Sequence, residues 1–421
     1  MHSDFRRAGR GTRRPLLAGL LVLLLLLAGI APAPVARAAA PLPVRDNPLG
    51  LKAAAAELLD VRTGQVLYAY NEHAKMQPAS LAKLMTFLLA LQALQNGAVT
   101  PQTQVTVSQK AWQLSLNDTV SRMFVRVGDR VSVDTLLYGL MVASGNDAAV
   151  ALAERLGGTE ANFVRMMNDE ARRLGLGDTH YVNSHGLYAP GQTTSAADVA
   201  KLSAYILQHF PDATRYTKPA SFSYQPSGAP QPITQQNWNG LVITDHRVDG
   251  LKTGHLEESG YHLAASAKSG SMQLVAVVMG IQAPTLQAGM QEREREAEAL
   301  LNWGFDNFRD VTPDLGGKLP ASIPVYKGAS GTVQPVPAAP LLLTVPRSEA
   351  GSLSVRVTLP ARLVAPVRKG QALGEVTVRA GASSWRIPLV AARDVPRGGL
   401  LRVLWDTLRL ALGDLLARIH L

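Results

Sequence analysis

Pro78-Ala79-Ser80-Leu81-Ala82-Lys83-Leu84-Met85-Thr86 is the stretch whose reading decides the fold. A polar loop over residues 71–77 gives way there to an apolar run from Leu81 to Leu94, the pattern of a helix start. Residues three apart share a helix face, so Ser80 and Lys83 meet in the first turn, hydroxyl beside amine. The positive end of the helix dipole favours a developing alkoxide at Ser80. A serine becomes a useful nucleophile only when a neighbour takes its proton. Lysine can take it only when neutral, which at a pKa of about 10.4 holds for roughly one lysine in a few thousand at pH 7. Burial and a second nearby cation both lower that pKa. Ser-x-x-Lys alone arises by chance in helix-rich chains, so the surrounding sequence has to decide.

At 421 residues the chain is long enough for two domains and a large core. Residues 1–38 read as a secretory signal peptide. Arg6, Arg7, Arg10, Arg13 and Arg14 form a basic n-region, Leu16–Ile30 an apolar h-region, and Ala36-Arg37-Ala38 a small-residue cleavage site. Six arginines and Asp4 leave with that segment, so the net charge falls from +10 to +5. So mild a basicity is not a nucleic-acid signature. The chain has no cysteine, which excludes cysteine proteases and thiolate zinc sites and leaves an exported protein to be held by its core alone.

In order along the mature chain, two apolar runs around Arg62-Thr63-Gly64 read as a β-hairpin. The Ser80 helix follows. A helix from near Asp134 to Val142 is interrupted by Ala143-Ser144-Gly145-Asn146-Asp147 and resumes from Ala148 to Leu156, which exposes small polar side chains at a cleft. Residues 159–175 and 195–209 are amphipathic helices, and 221–239 is a polar, Pro- and Gln-rich excursion. Val248-Asp249-Gly250-Leu251-Lys252-Thr253-Gly254-His255 precedes two strand-like runs, 261–267 and 274–279, and a helix over 285–305. Strands at both ends with helices between predict an α/β domain over residues 45–308, with an antiparallel sheet joining distant segments. From 311 to 395 Pro, Gly and Val rise and helical periodicity stops, the signature of a small all-β domain. Over 399–421 Leu401, Leu404, Trp405, Leu408, Leu412, Leu415, Leu416 and Ile419 recur at 3-4 spacing, opposite Arg402, Asp406, Arg409 and His420. That helix is too polar on one face to span a bilayer and fits one lying on a membrane surface.

Three elements now stand in order: Ser80-x-x-Lys83, Ser144-Gly145-Asn146 and Lys252-Thr253-Gly254. With them go His255, Ser259-Gly260-Tyr261 and His185-Gly186-Leu187. Here the chain resembles the penicillin-interacting serine enzymes. Within that group it is similar to the low-molecular-mass penicillin-binding proteins that are serine-type D-alanyl-D-alanine carboxypeptidases. The resemblance runs over nearly the whole mature chain. It implies a penicillin-binding, serine β-lactamase-like transpeptidase fold with an antiparallel sheet and a helical subdomain, then the all-β domain and the amphipathic helix.

The resemblance also implies roles. Ser80 attacks the carbonyl of a D-Ala-D-Ala bond and Lys83 takes its proton. Lys252 holds Lys83 partly neutral by like-charge repulsion and passes a proton through Ser144, while Asn146 orients Lys83 and the substrate backbone. Lys252 and Thr253 bind the terminal carboxylate, Gly254 leaves room for substrate along the strand, and the backbone N–H groups of Ser80 and His255 form the oxyanion hole. The implied partners are the peptidoglycan stem pentapeptide, β-lactam antibiotics as covalent inhibitors, and the membrane surface under the last helix, at the periplasmic face of the inner membrane. Neither cofactor nor metal is implied. His180, His185 and His262 lack the spacing of zinc ligands, and Gly175-Leu176-Gly177 does not continue into a dinucleotide fingerprint. Arg247 is a candidate to assist carboxylate binding, weighed against the commoner reading of an ordinary surface arginine. Tyr188 stands where many relatives carry an acidic residue, which affects the loop beside the cleft and not the reaction.

The nearest rival is a serine β-lactamase, which shares fold and acylation. Residue 145 is Gly rather than Asp, and no Glu-x-x-Leu-Asn occurs between Ser144 and Lys252, so a long-lived penicilloyl adduct is expected instead of fast turnover. A D,D-endopeptidase or transpeptidase would use the same acyl-enzyme. A non-catalytic cell-wall scaffold is opposed by the intact Ser80, Lys83, Ser144, Asn146 and Lys252.

Overall fold

The computed structural model describes residues 43–419, with side chains through residue 412. The signal-peptide reading of residues 1–38 lies outside the described residues, as does His420.

β1 (Ala55–Asp60) and β2 (Val66–Tyr70) form the expected antiparallel hairpin. A 3-10 turn, Ala79–Ala82, leads into α1 (Lys83–Gln95). Then come β3 (Gln104–Thr106), α2 (Gln109–Leu116), β4 (Arg130–Ser132), α3 (Val133–Met141), α4 (Asn146–Gly157), α5 (Glu160–Leu174) and α6 (Ala196–His209). The short α7 (Thr214–Thr217), β5 (Ser221–Tyr224), β6 (Ile233–Gln236) and α8 (Leu241–Thr244) lead to three long strands. These are β7 (Val248–Leu256), β8 (Gly260–Ser269) and β9 (Met272–Ile281), and α9 (Leu286–Asn307) follows them. Ser108, Ser132, Thr159, Ser195 and Thr285 each cap a helix by accepting from a backbone N–H in its first turn, a role for which Ser and Thr are preferred.

The five long strands make one antiparallel sheet in the order β2-β1-β9-β8-β7. Both of its faces are covered, so β9 reads as a continuous apolar run. Val275, Val277 and Met279 point into the helical subdomain, and Leu274, Ala276 and Val278 point under α9. α1 runs through the middle of the subdomain and buries residues on every side, which is why its sequence shows no polar face. β7 is an edge strand, and its free side meets the turn that carries Ser80.

One reading is corrected. The 221–239 excursion contains a two-stranded hairpin, β5 with β6, Ser221 opposite Gln236. Alternate side chains hold it down: Phe222 stacks on Tyr138 at 6.3 Å, and the Tyr224 hydroxyl donates to Asp129 at 2.8 Å.

Short strands between Phe308 and Ala391 build the all-β part, chiefly a four-stranded sheet that includes Ser354–Thr358, Ala372–Ala380 and Ser383–Ala391. It is tied to the first domain by Trp385 Nε1 donating to Gln65 at 3.3 Å, Thr63 and Thr344 hydroxyls 2.6 Å apart, and Arg62 with Asp310 at 3.4 Å. Asp60 lies buried at this junction, pushed up to about 7 by burial first and Asp310 second.

α10 (Leu400–Ile419) ends the described chain. Its polar side faces the protein. Asp406 is fully buried, accepts from Lys327 N at 2.6 Å and pairs with Arg402 at 2.9 Å, and Arg409 sits over the Tyr326 ring. Its apolar side faces outward, with Leu401 85% and Trp405 60% exposed, alongside Leu404, Leu408 and Leu412. A helix packed on its own protein would show the reverse. No helix among the described residues is long and apolar enough to cross a membrane.

Candidate active site

The 3-10 turn places Ser80 half-exposed at the mouth of the cleft and Lys83 one turn deeper, fully buried. Lys83 Nζ reaches three acceptors: Ser80 Oγ at 2.8 Å, Asn146 Oδ1 at 2.6 Å and the His185 carbonyl at 2.6 Å. These match the three donors of an ammonium; once neutral, the amine has a lone pair to offer the Ser80 proton. Burial pushes Lys83 down to about 7, and the nearby Asp147 opposes the shift.

The second pair comes from β7 and the α3–α4 turn. Ser144 adopts a left-handed φ of 58°, and its Oγ accepts from buried Lys252 Nζ at 3.0 Å. Lys252 also donates to its neighbour's carbonyl, Thr253 O, at 3.0 Å. Its pKa lies well below the ordinary lysine value, through burial first, then Lys83, then Arg293. The sequence reading offered two causes for a lowered Lys83, burial and repulsion from a second cation, and the family's pattern stressed the repulsion from Lys252. Burial is the leading cause for both amines, and the repulsion between them is felt at Lys252.

Gly254 has a second role beyond its reading. A Cβ there would lie 3.1 Å from Ala79 Cβ and 3.2 Å from Pro78 O, so the missing side chain also lets β7 approach the Ser80 turn, while Gly254 itself lines the cleft. The His255 ring stacks on Tyr261 at 4.0 Å and stays at the rim. Thr253 and His255 line the cleft with Ser80, Ser144 and Asn146, around a cavity of about 780 Å³.

The loop His185-Gly186-Leu187 closes over the nucleophile turn. Gly186 has a φ of 92°, and a Cβ there would fall 1.8 Å from Ala79 O, so only glycine fits. Glu160 holds the loop by accepting from Ser184 N at 3.0 Å and Ser184 Oγ at 2.6 Å. Burial and then Lys83 push His185 down to about 4, so the ring is neutral and the residue contributes its carbonyl.

Sequence reasoning missed Arg293. It is 2% exposed, donates to the Trp238 carbonyl at 2.7 Å, and lines the cleft from α9 with its Nε unpartnered. Glu292-Arg293-Glu294-Arg295 looks like a solvated face. The available signal was periodicity, because Arg293 shares the buried stripe of Gly289, Glu296, Ala297 and Leu300. Arg247 is occupied elsewhere, pairing with Asp245 at 2.6 Å and Asn302 at 2.7 Å.

An edge strand facing a Ser-x-x-Lys turn and a Ser-x-Asn turn, beneath a helical subdomain, defines the penicillin-binding serine enzymes. The D-alanyl-D-alanine carboxypeptidase model of peptidase family S11 matches residues 43–283, and the model of the penicillin-binding protein 5 C-terminal domain matches 308–397. The D-alanyl-D-alanine carboxypeptidase DacD of Escherichia coli is 38% identical over 376 residues, 88% of this chain and 93% of that protein. Among solved structures, penicillin-binding protein 5 from Haemophilus influenzae superposes with a TM-score of 0.75 at 34% identity, over 82% of this chain and 98% of that one. Penicillin-binding protein D2 from Listeria monocytogenes in its cefotaxime-bound form does so with a TM-score of 0.53 at 27% identity, over 61% and 98%. The chain belongs to the S11 family of D-alanyl-D-alanine carboxypeptidases.

Proposed function

We propose that the mature chain removes the terminal D-Ala from peptidoglycan pentapeptides through an acyl-enzyme on Ser80, and that β-lactams acylate the same oxygen. The observation that carries this is Lys83 Nζ, buried and 2.8 Å from Ser80 Oγ, with Asn146 and His185 fixing its direction. Neutral Lys83 takes the Ser80 proton as Oγ bonds to the penultimate D-Ala carbonyl carbon. Charge develops on the carbonyl oxygen, where the family's pattern puts the N–H groups of Ser80 and His255; losing one such donor costs about 10²–10³ in rate. The C–N bond then breaks, the proton passes to the departing D-Ala amine, and Ser144 with Lys252 offers a second path for it. Water then adds to the ester carbonyl while Lys83 accepts its proton, and Lys83 returns that proton to Ser80 Oγ as the acyl C–O bond breaks. Intact-mass spectrometry with benzylpenicillin, beside D-Ala release from a diacyl-Lys-D-Ala-D-Ala peptide, tests the reading. A stable adduct together with released D-Ala supports it; penicillin hydrolysed rapidly without D-Ala release overturns it.

The terminal carboxylate meets Lys252, Thr253 and Arg293. An Arg293→Gln variant loses a charge-assisted contact of about 1.5–3 kcal/mol, hence roughly 10–100-fold in kcat/KM for D-Ala release. With a substrate ending in D-alaninamide, which has no carboxylate, the wild type and the variant are expected to react alike. Equal losses on both substrates would place Arg293 outside carboxylate recognition.

The outward apolar face of α10 supports attachment to the periplasmic face of the inner membrane. Fully burying a leucine is worth about 1.5–3 kcal/mol, so the double change Leu404→Glu, Leu408→Glu is expected to cut vesicle co-sedimentation by roughly 100-fold or more while D-Ala release in solution persists. Undiminished sedimentation would exclude α10 as the attachment.

A further inference from the structure

Asp147 follows Asn146 directly, and none of the acylation steps given so far uses its carboxylate. It is fully buried in the first turn of α4. Its carboxylate accepts from Met123 N (2.9 Å to Oδ1, 3.1 Å to Oδ2), Val125 N at 3.3 Å, Ala148 N at 2.9 Å and Ser115 Oγ at 2.5 Å. All of these donors are uncharged. The segment they fix is tied to the site a second time, because Asn146 N donates to Ser121 O at 2.9 Å.

Gly145 belongs to the same arrangement. A Cβ on it would stand 2.7 Å from Asp147 Oδ1 and 3.2 Å from Met123 N. A side chain between Ser144 and Asn146 would therefore push the carboxylate out of its place. The glycine that separates this chain from a Ser-Asp-Asn enzyme is required by the aspartate two residues on.

We propose that Asp147 is a positioning residue for the acylation step: its carboxylate braces the turn that aims Asn146 at Lys83, and sets a buried negative charge one residue from the Oδ1 that holds the amine at 2.6 Å. This rests on reading Ser80 and Lys83 as the acylating pair. The titratable groups beside Lys83 are Lys252 from β7, which itself feels Arg293 from α9, and His185 from the covering loop, which itself feels Glu160 and Lys110. Asp147 is the acid that supports the charged amine against burial. Tyr224 of β5 also lies in its field. Without it, Lys83 gives up its proton at lower pH and becomes a weaker base, so the acid limb and the plateau of the rate profile both change.

The test is the second-order rate of acylation by benzylpenicillin as a function of pH for the wild type, Asp147→Asn and Ser115→Ala. In Asp147→Asn the acid limb is expected to move to lower pH by about one unit, and the plateau to fall roughly tenfold. Ser115→Ala removes one hydrogen bond and keeps the charge, so its limb should stay where it is. If Asp147→Asn does not fold, Asp147→Ser replaces it: it too removes the charge while keeping an acceptor oxygen for the backbone N–H groups, and its limb should shift in the same direction. A limb that stays in place while the plateau falls would leave Asp147 a purely structural residue and overturn the proposal, as would a limb that moves in Ser115→Ala. A wild-type chain that forms no adduct at all overturns the acyl-enzyme reading itself, a separate outcome from any limb position.

Discussion

Replacing Ser80 with alanine is expected to abolish the benzylpenicillin adduct and to lower D-Ala release by roughly 10⁴-fold or more, the scale seen when a nucleophile is removed from a cooperating set. No neighbouring group can substitute. Ser144 Oγ is engaged with Lys252, and its hydroxyl faces a different amine. Lys83 loses one of three acceptors but keeps Asn146 and His185, so the fold is expected to hold and its unfolding midpoint to shift little. The cleft is unchanged by removal of one oxygen, so penicillin should still bind reversibly and be released intact. An adduct that survives in the variant, located by peptide mapping on another residue, would overturn the assignment of Ser80.

The nucleophile was legible because its chemistry is local: a spacing of three on one helical turn brings Ser80 to Lys83 whatever the rest of the chain does. Ser144 and Lys252 are joined across 108 residues, and only the order of three motifs pointed to that meeting. What the sequence could not show is which force acts on each amine. Burial of Lys83 and Lys252 is a property of the packed helical subdomain, and no spacing rule displays it. Arg293 was hidden for a related reason. An arginine between two glutamates looks solvated until the helix is rotated onto the sheet and its stripe turns inward. The β5–β6 hairpin was hidden by its composition, since Pro and Gln obscured the alternation of Phe222 and Tyr224. For α10 the sequence displayed both faces, but only the fold showed that Arg402, Asp406 and Arg409 are the ones held by the protein.

Lys83→Arg is expected to lower acylation by about 10²–10⁴-fold, the usual contribution of a positioned general base. Arginine keeps a positive charge and hydrogen-bond donors beside Ser80 Oγ, but with a pKa above about 12 it does not become neutral at working pH and cannot accept the proton. The wild-type rate should rise with pH through the Lys83 titration near 7, since the neutral form is the active one, whereas the variant should show no such limb. The same shift appears in stability. A lysine free in the unfolded chain holds its proton to a pKa of about 10.4, so between about 7 and 10.4 the unfolded state binds more protons than the folded one. Stability from this group therefore rises as pH rises through that window, and at lower pH the folded chain carries the cost of a buried ammonium. Unfolding midpoints measured against pH should show that rise in the wild type. It should be weaker in Lys83→Arg, because Lys252 alone is left to titrate in the same direction. An unchanged pH–rate profile in the variant would remove Lys83 as the base and leave Lys252, through Ser144, as the group to test next.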